Sequence, residues 1–205
     1  MIETAIRQAA ALLLEYPDDH WHDTVRLVRD TLGPLADDRC APLLAFCETA
    51  LDVPLTEAAV RYVQTFDRTG RRTLHLTYYT DGDTRRRGAS LAALKARFRE
   101  HGHRPPDDQL PDHLPLLLEF AARSPGPGER LLLDHRAGLE LLRIALRDHG
   151  GPYADVLDAV CATLPGPSPA DRAAALALAR TGPPAETVGL VPFGPATHTE
   201  EGTRR

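Results

Sequence analysis

The chain has 205 residues, 42% of them hydrophobic and 26% charged, with a formal net charge of -5. That balance fits one ordinary globular core and argues against the basic surface of a nucleic-acid binder. No stretch reaches the roughly 20 apolar residues of a membrane span, and no basic run followed by an apolar core opens the chain, so a cytoplasmic protein without direct membrane insertion is expected.

Taken in order, the spacing predicts a helix over residues 4–16, where Ala5, Ala9, Leu12, Leu13 and Tyr16 share a face and Pro17 stops it. A second runs over 20–32 on Trp21, Val25, Val28 and Leu32, closed by Gly33 and Pro34. An Ala- and Leu-rich third covers 37–51. Thr56, followed by Glu57, is placed to cap a fourth that turns Val60, Val63 and Phe66 inward. Residues 74–79 suit a strand by alternation, but no other segment offers a strand partner, so they read as a short helix.

Asp83 suits the N-cap of a helix reaching His101, with Leu91, Leu94 and Phe98 on one face and Gly102 at its end. Asp112 is placed either to cap the next helix, which carries Leu114, Leu117, Leu118 and Ala121, or to contact a ligand. Residues 124–128 read as a break, followed by one long helix over 129–149 on Leu132, Leu139, Leu142 and Leu146. Tyr153, Val156, Leu157, Val160 and Leu164 mark another, and the 168–171 segment opens a last helix to Arg180. The expectation is an all-α single-domain bundle of about eight to ten helices over 1–182. A mostly irregular tail follows over 183–205, tied back through the apolar residues 188–193.

Chemistry has few footholds. Cys40, Cys47 and Cys161 form no Cys-x-x-Cys pair and read as buried free thiols. His101, His103, Asp107, Asp108 and His113 form the best cluster for a metal, but their spacing matches no closed zinc pattern and no Cys lies nearby, so they read as loop solvation and capping in preference to a metal site. Neither a nucleophile elbow nor a phosphate-cradling loop is present. Arg85, Arg86 and Arg87 read either as a solvated run or, because the helix dipole opposes cations there, as partners for Asp81, Asp83, Asp112 or Glu119. His113 is a residue type that titrates near neutrality. Glu119, between Leu118 and Phe120, needs an arginine or a backbone donor, as an internal ion pair or as the wall of a peptide groove.

Read together, several motifs resemble the respiratory nitrate reductase delta subunit family, the NarJ-type assembly chaperones. They are Tyr62, Val63, Phe66 and Asp67; Leu74, Leu76, Thr77, Tyr78 and Tyr79; Gly82, Asp83, Arg85, Arg87 and Gly88; and the run Leu110, Pro111, Asp112, His113, Leu114, Pro115 that leads to Leu118, Glu119 and Phe120. Leu14, Tyr16 and Pro17 near the start, and Val188, Gly189, Leu190, Pro192 and Phe193 near the end, are similar too.

The resemblance implies the all-helical TorD-like fold of redox enzyme maturation chaperones. It implies a protein that is not an enzyme and uses no cofactor or metal of its own. Such a protein binds the N-terminal segment of an apo nitrate reductase catalytic subunit and holds it for molybdenum cofactor insertion. Alternatives are a different molybdenum oxidoreductase as client, or a metalloenzyme built on the histidines. An acidic Glu-Pro-x-Asp-His corner is tied to signal-peptide recognition in the wider family. Pro111, Asp112 and His113 resemble it, whereas Gln109 and Leu110 stand where the acidic start would be. The expected peptide-binding set is Tyr78, Tyr79, Asp81, Asp83, Arg85, Arg87, Asp112, His113 and Glu119.

Overall fold

The structure is a computed structural model that describes the backbone of residues 2–181 and the side chains of residues 2–177. The described residues hold eleven α-helices. They are α1 (Ile2–Leu13), α2 (Trp21–Leu32), α3 (Ala41–Leu51), α4 (Leu55–Phe66), α5 (Thr77–Asp81), α6 (Arg85–Glu100), α7 (Leu114–Arg123), α8 (Pro125–Asp134), α9 (Arg136–His149), α10 (Tyr153–Ala162) and α11 (Arg172–Thr181). Among the described residues the extended pairing is limited to one antiparallel bridge, His75 with His113. The all-α expectation holds, with eleven helices in place of eight to ten. The expected tail at 183–205, including the 188–193 patch, lies outside the described residues.

The bundle is built on α1, which packs against α7, α10 and α2. Ile6, Ala10 and Leu13 are fully buried on its inner face, and each large apolar side chain so placed contributes about 1.5–3 kcal/mol. Arg7 shares that face and is 1% exposed. Its guanidinium is satisfied by Thr163 Oγ1 at 3.1 Å, Thr163 O at 3.0 Å and Glu129 at 3.3 Å, without which a buried cation would be untenable.

Aromatic contacts join α2, α3, α4 and α10. Phe66 and Tyr153 lie 4.8 Å apart, Tyr62 and Phe66 4.8 Å, Phe46 and Tyr153 5.1 Å, and Trp21 meets Phe46 edge-on. A second cluster pairs Phe98 of α6 with Phe120 of α7 at 4.9 Å. The three cysteines are free and buried, and desolvation pushes the Cys47 thiol up to about 11.

Several sequence expectations need correction. Residues 124–128 are not a break: α8 begins at Pro125, because prolines in a first turn lack only N–H groups that have no intrahelical partner anyway. Gly128 is required there, since a Cβ would come 2.2 Å from Ala121 Cα on α7. The single helix expected over 129–149 is divided at His135, which ends α8 and precedes α9. α8 packs on α7 whereas α9 packs on α10, α11 and α5, so one straight rod cannot serve both.

On α4, Val60 and Val63 face solvent and Ala58, Tyr62, Thr65 and Phe66 face inward, because the two aromatics set the buried stripe. Thr56 does not cap α4, which starts at Leu55 behind Pro54. Asp83 does not cap α6: Thr84 occupies that position and its hydroxyl donates to Asp81 O at 2.8 Å. At α11, Asp171 does cap, accepting from Ala174 N at 2.8 Å, but Ser168 instead donates to Glu140 and Pro169 lies outside the helix.

Candidate functional site, the corner between α5, α6 and α7

The segments 74–76 and 112–114 run side by side just before α5 and α7. Leu76 N donates to Asp112 O at 3.0 Å, and Leu114 N donates to Leu74 O at 2.8 Å. The alternation seen over 74–79 is real as far as His75, and the strand partner is the turn before α7. From Thr77 the chain becomes helical. Pro115 fits in the first turn of α7, where its missing N–H costs nothing.

Asp112 is fully buried at this junction. Its carboxylate accepts from His75 Nδ1 at 2.9 Å, Thr77 Oγ1 at 2.5 Å and Arg87 Nη2 at 3.3 Å, and Arg87 Nε also donates to Thr77 Oγ1 at 3.2 Å. Burial alone would raise this carboxyl, but hydrogen bonds from His75 and Thr77, then the charge interactions with His75 and Arg87, hold it down at about 2. Asp112 therefore joins α5, α6 and α7 through one charge. It does not cap α7, whose N-cap is His113 without a side-chain bond.

His113 lies half-buried beside it, with its ring 5.4 Å from that of His75. Its Nδ1 is buried without a hydrogen-bond partner among the described residues. Desolvation chiefly, and then the neighbouring His75, bring the imidazole down from 6.5 to about 4, so it is neutral at physiological pH.

The remaining site residues divide into two groups. Tyr79 is anchored: its hydroxyl lies 3.0 Å from the carbonyl oxygens of both Arg71 and Thr73. Asp81 accepts from Ser90 Oγ at 2.6 Å, which ties the end of α5 to α6. Tyr78, Asp83 and Arg85 are exposed around the same corner. Of the three arginines, Arg87 alone reaches Asp112. Glu119 stands apart: it is half-buried, pairs with Arg123 on its own helix at 2.6 Å, and lies near Glu15.

The histidines considered for a metal are placed otherwise. His101 and His103 pack their rings on Phe120, and His103 Nε2 lies 3.2 Å from Ser124 Oγ. No His, Cys, Asp and Glu cluster with metal-holding geometry occurs among the described residues. No helix among them is long and apolar enough to cross a membrane.

The sequence reading missed His75 and Thr77 as the partners of Asp112. It also missed Glu140, fully buried on α9 and held by Arg143 at 2.7 Å and Ser168 at 2.8 Å. The available signal was a polar residue on an apolar face: Glu140 between Leu139 and Leu141, and Arg7 between Ile6 and Ala9.

The family model described as the nitrate reductase delta subunit matches residues 32–159. The nitrate reductase-like protein NarX of Mycobacterium tuberculosis is 43% identical over 160 residues, which are 76% of this chain and 24% of NarX. The chain thus spans about a quarter of that relative. NarJ of Bacillus subtilis is 30% identical over 161 residues, 76% of this chain and 86% of NarJ. The nitrate reductase molybdenum cofactor assembly chaperone NarJ of Escherichia coli is 32% identical over 164 residues, 77% and 67% of the two chains. A crystal structure from Archaeoglobus fulgidus, assigned to redox enzyme maturation, superposes with a TM-score of 0.60 at 17% identity, covering 79% of this chain and 93% of that one. That likeness is one of fold.

Proposed function

The chain belongs to the nitrate reductase delta subunit family, and from that premise we propose that it is an assembly chaperone. It binds the N-terminal segment of an immature nitrate reductase catalytic subunit and holds that subunit while the molybdenum cofactor is inserted. It acts by binding and not by catalysis. The supporting observation is that the chain aligns with 86% of NarJ of Bacillus subtilis, so the likeness extends over nearly a whole relative.

In this reading the corner of α5, α6 and α7 is the client's docking place, with its residues in two roles. Tyr78, Asp83 and Arg85 are exposed and meet the peptide directly. Asp112, Arg87, His113 and Tyr79 are engaged internally and fix the pose of α5. Asp81 does both, being half-buried with one oxygen on Ser90. Glu119, paired on α7, contributes a more distant negative charge.

The energetics are consistent with a working affinity. A client helix placing about four apolar anchors gains roughly 1.5–3 kcal/mol for each. Ordering that helix costs about 2–5 kcal/mol, and lost translational freedom costs more. One or two charge-assisted hydrogen bonds to Asp83 or Asp81, each about 1.5–3 kcal/mol, bring binding to the micromolar range. Calorimetric titration with a peptide copied from the N-terminus of the catalytic subunit tests the reading. Saturable heat is expected, and none at high micromolar peptide would overturn it.

A further inference from the structure

A cleft of about 310 Å³ opens where α3 and α4 meet the turn from α9 to α10, and no residue of the α5, α6 and α7 corner lines it. Its walls are the aromatic rings of Trp21, Phe46 and Tyr153 with Val53 and Leu146, and its rim carries Arg61, Gln64 and His149, all three exposed. The turn contributes Gly150 and Gly151, so it puts no side chain into the opening, and a Cβ added at either would meet nothing within 4 Å. Apolar walls, a few polar groups and a volume of about 300 Å³ or more are the features of a binding site. One polar group in the wall is unsatisfied. Trp21 is 3% exposed, and its Nε1 is buried without a hydrogen-bond partner among the described residues. An indole N–H can only donate, and when buried it ordinarily finds an acceptor. A fitting occupant therefore carries apolar side chains and a carbonyl oxygen.

The chain itself supplies such an occupant. Beyond the described residues, Val188, Leu190, Val191, Pro192 and Phe193 form an apolar run in a stretch otherwise rich in Gly, Pro and Thr. Reach is sufficient. Leu176 of α11 shares a cleft with Leu141 of α9. Leu146, in the wall of the aromatic cleft, stands five residues further along α9, about 8 Å at about 1.5 Å per residue. The twelve residues from Thr181, the end of α11, to Phe193 can span up to about 40 Å. The run also suits an apolar wall: Pro192 brings no N–H to be left unpaired, and it favours an extended residue before it. In an extended pose Val191 and Phe193 share a side.

We propose that residues 188–193 dock in this cleft, with Phe193 against Trp21, Phe46 and Tyr153 and a backbone carbonyl of the run accepting from Trp21 Nε1. The inference does not depend on the chaperone reading. Tethering favours this occupant over any that arrives free, because a segment joined by a short link sits at an effective concentration on the order of millimolar. A contact with a Kd of about 0.1 mM as a free peptide is therefore closed about ten to one within the chain.

Trp21 is the one tryptophan of the chain, so its fluorescence reports on this cleft alone. In the full chain, Phe193→Asp should shift Trp21 emission to the red and raise its quenching by acrylamide, with circular dichroism at 222 nm unchanged. Thr197→Asp, which adds the same charge beyond the run, should change neither. A peptide copied from residues 186–195 should bind the Phe193→Asp chain about tenfold more tightly than the wild-type chain, where the tethered run competes. Identical emission and quenching in wild type and Phe193→Asp would overturn the proposal. So would Trp21 protection in wild type that rises with protein concentration, which assigns the cleft to a second copy. Protection that arises only when the N-terminal peptide of the catalytic subunit is added would overturn it too, and assigns the cleft to the client.

Discussion

Replacing Asp112 by Ala is the sharpest stability test. The carboxylate is fully buried and serves three donors, His75 and Thr77 at the start of α5 and Arg87 on α6. Removing one member of a buried charged pair costs about 3–5 kcal/mol, and the lower end applies here, because Thr77 loses its acceptor where water does not reach while His75 and Arg87 remain partly exposed. Against a total stability of about 5–15 kcal/mol that is a large fraction. With a urea slope of about 2 kcal/mol per molar, the unfolding midpoint should fall by roughly 1.5 M. Asp112→Asn keeps the shape and one acceptor and should lose less than half as much. Urea titration followed by circular dichroism at 222 nm measures both. A midpoint within about 0.3 M of wild type for Asp112→Ala would refute the reasoning, since it would mean that the network is not what fixes this junction.

Other outcomes follow from the same geometry. Gly128→Ala drives a methyl into the backbone of α7 at Ala121 and should destabilise by about 1–3 kcal/mol, lowering the thermal midpoint by several degrees. Glu119→Ala loses one partly exposed pair within α7 and should cost about 0.5 kcal/mol or less, inside the scatter of a urea titration. For pH, the His113 imidazole is lowered to about 4 in the fold from 6.5. The unfolded chain therefore binds more protons between those values. Its contribution is complete above about pH 6.5 and disappears as pH falls towards 4, at most about 3 kcal/mol. Urea midpoints at pH 7 and pH 4.5 should differ in that direction, and His113→Phe should shrink the difference. An unchanged midpoint in wild type would contradict the burial of this ring.

Most of the helices were legible because their apolar residues recur at helical spacing. α2 and α10 came through nearly intact: Trp21, Val25, Val28 and Leu32 are all buried, as are Tyr153, Val156, Leu157 and Val160. What spacing could not reveal was tertiary choice. Nothing local marks His135 as a break, which exists because α8 and α9 answer to different neighbours. The short 74–79 segment was undecidable by pattern, since its extended half pairs with a turn and not with a strand. At the site, Asp112 as a partner for the arginine run was legible, and Arg87 is that partner, but the capping role given to Asp112 is not the one it plays. A carboxylate in a turn before a helix reads as a cap, and only the fold brings His75 and Thr77 to it. Glu119 was grouped with that corner by sequence order, yet it lies two turns along α7 with a partner of its own.

The central claim is that a nitrate reductase catalytic subunit matures through this protein. The most direct measurement is the molybdenum content of that subunit, purified from otherwise identical cells that make or lack this chain. The account predicts a subunit present but largely without molybdenum when the chain is missing, restored when it is supplied again. Equal molybdenum in both preparations would contradict it.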